Sequence, residues 1–361
     1  MTPQAMRWEN RLLTWPPRRP SGVQVLMGLT VILVLASLYA AGQGAYGLGW
    51  QELIQLMTGE LEGTPEGEAS ALVFNNIRLP RLLLAVTAGA ALAMAGALMQ
   101  GLFRNPLADP GLIGVSSGAA LAAGITIVMG ALWWPELPRA LGSWTLVLTA
   151  FLGGLAVTML IYTLSQGEGG TRVGQMLLAG IAVNALAGAG LGLLNYLATD
   201  EQLRNLQFWL MGSLGGARWS AVWLVSGLSL LALLAGMRLA RPLNALALGE
   251  AQATLLGVPV ERIKRQAVVI TALAVGVVTA TTGIIGFVGL IAPHIVRLMC
   301  GPDHRWVLPG SALLGASLVL LADAVARTVV APAELPLGVL TALVGVPFFL
   351  LLLRGRAGRM L

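Results

Sequence analysis

Cysteine, histidine and lysine are nearly missing from this chain, and each scarcity removes a class of chemistry. The single cysteine, Cys300, permits no internal disulfide, and its apolar setting after Met299 reads as a buried bystander rather than a reactive thiol. The two histidines, His294 and His304, have no Cys, His or carboxylate at chelating spacing on a shared face apart from Asp303, so no metal site is expected and a loop or structural role is favoured. The one lysine, Lys264, lies in Glu261-Arg262-Ile263-Lys264-Arg265 and outside any G-x-x-x-x-G-K-[ST] pattern, which excludes a P-loop. No Ser-His-Asp, HExxH or Cys/His set replaces it, so no catalytic residue is assigned. Energy from ATP, if used, must come through a partner subunit.

Charge and aromatic bulk are also scarce. Charged residues are 11% of the 361 and aromatics 6%, against 57% hydrophobic residues and 46 glycines, with a mean hydropathy of +0.80. One soluble core cannot hide that much apolar surface, so lipid must be the solvent for much of it. The Leu, Ala, Val and Gly palette suits closely packed membrane helices, and the aromatic girdles of a large β-barrel are missing. The sequence pI is about 10.4, but the basic residues are scattered between apolar runs, which argues for membrane topology and against nucleic acid.

Apolar runs of spanning length fall near 23–41, 81–103, 111–132, 142–165, 173–197 and 219–238. After a polar interruption at 239–265 come 266–299, 307–326 and 337–353; the first of these is too long for one crossing and splits at Thr281-Thr282-Gly283. Arg7, Arg11, Arg18 and Arg19 precede the first run like a signal peptide, but spans recur to the end, so an uncleaved first helix is expected. The reading is an all-α polytopic membrane protein of about ten transmembrane helices, one transmembrane domain over 1–361, with 1–22 and 239–265 on the cytoplasmic side. With both termini cytoplasmic, the inside segments hold 16 Lys/Arg against 6 Asp/Glu and the outside ones 6 against 10. That asymmetry follows the positive-inside rule and fits a bacterial inner membrane.

Polar features within this frame mark candidate sites. Gly180, Asn184, Gly188 and Gly192 fall in one row along the fifth span, with a similar small stripe at Gly338, Ala342, Thr341 and Gly345 in the last. Such a row is either a helix-packing groove or the lining of a transport path. Arg78 and Arg81 flank Pro80 at the expected start of the second span, where the helix dipole disfavours cations and outside segments seldom carry them. An anionic counterpart is implied, in a partner protein, in lipid headgroups, or in Glu66 and Glu68. Asp323 and Arg327, four apart, read as a local ion pair. From Leu248 to Leu256 the chain can form a short helix with Glu250 in its first turn and Gly257 as its stop. Its Leu248, Leu255 and Leu256 suit a groove on a soluble subunit, the alternatives being the bilayer surface or the chain's own spans.

Taken in order, these residues resemble the FecCD family of binding-protein-dependent permeases, which import ferric siderophores, haem and cobalamin. The resemblance rests on Arg78-Leu79-Pro80-Arg81, the block from Gly89 through Arg104-Asn105-Pro106-Leu107-Ala108 to Gly118, Leu248-Gly249-Glu250 with Leu256-Gly257, Gly286-Phe287-Val288-Gly289-Leu290 with Pro293-His294, Asp303-His304-Arg305, and Glu334-Leu335-Pro336. It implies a BtuC-like permease fold with an inverted repeat of spans 2–5 and 7–10. It also implies a homodimer, two ATPase subunits supplying ATP hydrolysis and docked on Gly249, Glu250, Leu255, Leu256 and Gly257, and a periplasmic binding protein docked on Arg78, Arg81 and Arg327. Asn105 and Leu107 resemble a cytoplasmic gate, and the fifth and tenth spans a pore-lining pair. The stretches 102–111, 303–306 and 330–334 look most like haem-importer permeases, which makes haem or a related iron chelate the expected ligand and no bound cofactor necessary. Ferric-siderophore or cobalamin transport within the family is the alternative, as is an ion-driven secondary transporter from another class.

Overall fold

Lipid offers a backbone no hydrogen-bond partner, so each apolar run closes on itself as a helix. The computed structural model describes residues 20–44, 49–58, 60, 64–133, 136–331 and 333–354. The basic residues expected at 1–19, and Glu62 and Pro332, lie outside the described residues.

In chain order the helices are α1 (Gly22–Gly42), α2 (Trp50–Thr58), α3 (Pro65–Val73), α4 (Leu79–Leu102), α5 (Val115–Trp133), α6 (Glu136–Leu141), α7 (Trp144–Leu164), α8 (Val173–Leu197) and α9 (Asp200–Met211). They continue as α10 (Trp219–Met237), α11 (Ala240–Ala247), α12 (Glu250–Leu255), α13 (Val260–Thr282), α14 (Val288–Cys300), α15 (His304–Thr328) and α16 (Leu337–Arg354). A two-stranded antiparallel hairpin, β1 (Gln166–Gly167) and β2 (Gly170–Thr171), joins α7 to α8. Among the described residues, α1, the continuous run Pro65–Leu102, α7, α8, α10, α13 and α15 are long and apolar enough to cross a membrane. The shorter apolar helices α5, α14 and α16 bring the crossings to the ten expected.

Three boundaries differ from the sequence reading. The second span does not start near 81. A π-turn over Phe74–Arg78, in which the Leu79 N–H reaches back to the Phe74 carbonyl, joins α3 to α4 and absorbs Pro80, which has no N–H to give. Arg78 and Arg81 therefore lie inside a long helical run and not at its exposed N-terminus. The third span starts at Val115 because Asp109 caps a 3-10 turn over Pro110–Ile113 and Gly114 then turns left-handed at φ 80°. The seventh span starts at Val260, so the last residues of the 239–265 segment belong to a membrane helix. The expected split of 266–299 occurs at Gly283, whose φ of 73° ends α13.

The Pro65–Leu102 run and α13, the opening helices of the two expected repeats, form the centre: 72% of the most apolar stretch of each is buried, against 22% for α1 and α8. Two glycines let α4 pass that close to its neighbours. A Cβ on Gly89 would overlap the Gly315 carbonyl of α15, and one on Gly96 the Gly289 carbonyl of α14. The segments that the charge count assigns to the outside meet at one end of the bundle, where Ser213 N–H bonds the Thr282 carbonyl at 2.8 Å and Leu337 N–H the Gly212 carbonyl at 2.9 Å. Segments assigned to the inside meet at the other, where Asn244 bonds Asp303 and the hairpin touches the start of α13.

Candidate docking rim, gate and coupling surface

At the end that the charge count assigns to the outside, α4 delivers Arg81 to the side of α15 that carries Asp323. Arg81 Nε and Nη2 donate to Asp323 at 2.8–3.1 Å, and Nη1 and Nη2 donate to the two Glu334 oxygens at 2.7 and 2.9 Å. One guanidinium thus serves two carboxylates through its planar fork. Asp323 also holds Arg327 Nε at 3.1 Å, the local pair expected from their spacing. The remaining Arg327 donors reach the Gln43 and Ala40 carbonyls at 3.0 and 3.3 Å, and Arg78 Nη1 reaches the Ala41 carbonyl at 2.7 Å. Cations thus gather on the carbonyls at the C-terminal end of α1, as the helix dipole favours, with Ala40 also accepting the Gln43 N–H.

This corrects the sequence reading of the anionic counterpart. Arg78, Arg81 and Arg327 are only 4%, 7% and 8% exposed, and Arg81 finds its carboxylates within the chain, at Asp323 and Glu334 and not at Glu66 or Glu68. No local pattern reveals partners 242 and 253 positions away. Glu334 is the accessible member, its side chain 41% exposed, and the hydrogen bond from Arg81 holds its carboxyl below the usual glutamate range.

At the opposite end, which the charge count assigns to the inside, the chain leaving α4 turns at Arg104, held at φ 49°. Asn105 Oδ1 accepts the Leu107 N–H at 2.9 Å and its carbonyl the Ala108 N–H at 3.1 Å, so the expected gate residues form one closed turn. Asn105 is exposed and Leu107 half-buried. Behind them Asp109 caps Gly111 N–H at 2.7 Å, and burial pushes its carboxyl above the ordinary aspartate value.

The small-residue rows divide between the two readings. Gly180 packs on the Leu112 carbonyl, Gly338 on the Ile284 and Met211 carbonyls and Gly345 on Phe287, whose own φ is 66°. At these three positions the glycine admits a close helix contact, although Gly345 together with Thr341 also borders an apolar cavity of about 390 Å³. Asn184 is half-buried, donating to the Gly111 carbonyl at 3.2 Å and meeting Ser117 Oγ at 2.5 Å. Gly188 and Gly192 have open space before them, and Thr341 bonds the Gly338 carbonyl. His304 Nδ1 meets Asn244 Oδ1 at 2.8 Å, which ties α15 to α11.

The short helix after α11 is α12. It is bracketed by Gly249 at φ 118° and Gly257 at φ 79°, conformations that glycine alone adopts cheaply. Ala253 is fully buried and anchors it, whereas Leu248, Leu255 and Leu256 are 66%, 88% and 65% exposed. These leucines are not folded onto the chain's own spans. The preceding α11, unnoticed in the sequence, buries Leu243 and Leu246 beneath it.

Comparison with known proteins bears on the family and the fold. The model of the FecCD transport family matches residues 29–355. The hemin transport system permease protein HmuU of Yersinia pestis is 48% identical over 332 residues, covering 92% of this chain and 96% of the relative. The vitamin B12 import system permease protein BtuC of Escherichia coli is 44% identical over 296 residues, covering 82% and 86%. A metal-chelate type ABC transporter solved in an inward-facing conformation superposes with a TM-score of 0.80 at 33% identity, over 92% of this chain and 99% of that one.

Proposed function

The chain belongs to the FecCD transport family, and on that premise we propose that it is the permease subunit of an ATP-binding-cassette importer, moving haem or a related iron chelate from a periplasmic binding protein to the cytoplasm by alternating access. The observation that carries the ligand assignment is the 48% identity to a hemin permease over nearly its whole length.

The geometry supports the division of labour. Exposed leucines on a small helix anchored by Ala253 suit an apolar groove on a soluble ATPase, two of which serve a dimer of this chain. Both termini and α12 then lie in the cytoplasm, and the Asn105–Leu107 turn closes the inner mouth. Asn184, Gly188, Gly192 and Thr341 line the path, with Gly180, Gly338 and Gly345 setting helix spacing around it. At the outer end, Arg78, Arg81 and Arg327 dock the binding protein through the bond that opens most easily: an incoming carboxylate replaces Glu334 on Arg81. Asp323 is a buried acidic residue within α15, and two arginines hold it, so it is poorly suited to the proton relay of an ion-driven transporter.

Reconstitution tests the reading. Purified chain with its ATPase and binding protein takes haem into ATP-loaded proteoliposomes, with no competition from cobalamin or ferric hydroxamates. Uptake of cobalamin without response to haem would favour the alternative carried by the 44% identical relative. Uptake driven by an ion gradient without ATP would end the importer reading.

A further inference from the structure

The chain's one lysine is among its most deeply buried side chains, 2% exposed, and none of the roles above uses it. Lys264 Nζ donates to Glu250 Oε2 of α12 at 2.7 Å, to Glu261 Oε1 on its own helix α13 at 2.9 Å, and to the Thr171 carbonyl of β2 at 2.7 Å. All three ammonium donors are thereby satisfied, as a buried ammonium requires. Glu261 turns its second oxygen to the Thr171 N–H at 2.7 Å. Two side chains one turn apart on α13 thus hold both backbone groups of a single strand residue. Gly170 makes the approach possible, since a Cβ there would stand 2.6 Å from the Glu261 carboxyl carbon. Only Arg172 separates Thr171 from the first residue of α8.

We infer that Lys264 is a positioning residue for coupling: with Glu261 it clasps α12 to the 166–171 hairpin, so that displacement of α12 is delivered to the cytoplasmic end of α8. The placement explains the ion's burial. A lysine that only stabilised α13 could pair with a carboxylate at the surface without being desolvated, and would not need a backbone carbonyl from a hairpin. A compact ammonium with three donors joins three separate segments at one point, where an arginine fork favours planar pairs. On the hairpin side the clasp is doubly held: Glu261 bonds both Lys264 and the Thr171 N–H, and Thr171 also takes a hydrogen bond on its hydroxyl from Gln166 at 2.9 Å, while Glu250 joins through Lys264 alone. Apart from the buried Ala253, α12 offers this bond alone as a charged attachment among its described contacts: it is six residues long with its leucines outward.

The inference rests on the importer reading, and the tests separate the two. In a Cys300→Ala background, spin labels at Thr254→Cys on α12 and Gly169→Cys on the hairpin report one narrow distance, unchanged between nucleotide-free and nucleotide-trapped transporter. A distance that differs between those states with Lys264 intact overturns the clasp, whatever the ligand proves to be. In the reconstituted system, Lys264→Met lowers haem carried per ATP hydrolysed on the order of ten-fold, the size of a typical coupling between sites, and broadens the label distance. Lys264→Arg restores little, since its fork cannot meet three converging acceptors. Glu250→Gln, half-exposed and safe for folding, gives a smaller loss in the same ratio. Wild-type transport per ATP in both Lys264→Met and Glu250→Gln defeats the inference while leaving the importer reading intact; absence of ATP-driven uptake in the wild type defeats that reading instead.

Discussion

Gly96 and Gly289 touch backbone to backbone, and the second span has no other way to pass the eighth at that depth. Gly96→Val forces the helices apart and costs about 1–3 kcal/mol, the usual range for overpacking. Gly188→Val is the control, because nothing stands within 4 Å of its Cβ position. Thermal unfolding in detergent should show a lowered midpoint for the first and no change for the second.

Asp323 is the shared partner of Arg81 and Arg327, 1% exposed. Asp323→Asn leaves two buried guanidiniums short of a countercharge and loses about 3–5 kcal/mol of stability. Adding Arg81→Met to it costs less than the sum of the two single changes, which a double-mutant cycle on detergent unfolding measures.

Glu334 gives the rim a pH dependence. Its carboxyl titrates below the usual glutamate value when folded, so its contribution to stability is present above the unfolded value of about 4.3 and is lost as pH falls through the folded one. The stability gap between wild type and Glu334→Gln should therefore be constant near neutrality and close on acidification. A gap that widens in acid would contradict the Arg81 bond as its cause.

Single cysteines at Glu66 and Thr254, both exposed, should react with an impermeant maleimide from opposite sides of the membrane in a Cys300→Ala background. Ala253→Cys, next to the second site at a fully buried position, should stay unlabelled, which checks the orientation of α12 as well as the topology.

Leu256→Asp leaves the chain folded, because the leucine is already 65% exposed. In an ATPase groove the unpaired carboxylate would cost about 2–7 kcal/mol, enough to release the subunit. Ligand-stimulated ATP hydrolysis should vanish while binding-protein docking persists.

The apolar runs made the ten crossings legible, since lipid admits little but helices. Gly283, Gly249 and Gly257 marked real turns because left-handed backbone is written into the residue type. What stayed hidden depends on contacts between distant segments. The helices α2, α9 and α11 are short and amphipathic, held by surfaces outside their own windows. The π-turn before Pro80 moved Arg78 and Arg81 from a helix start into a helix interior. Gly180, Gly338 and Gly345 show the limit at the site itself: small residues at one spacing suit a packing groove and a pathway equally until the neighbouring carbonyl is seen.

The Arg81–Asp323 bond spans 242 positions of chain, which makes it a matter of time as well as of space. A ribosome adding about 5–20 residues each second delivers Asp323 on the order of ten seconds or more after Arg81. Throughout that interval the second span holds a cation without its carboxylate, and its long stem must keep the guanidinium at the aqueous boundary. Chains that stop short of the ninth span cannot leave that waiting state, since the carboxylate that Arg81 needs at Asp323 is never made.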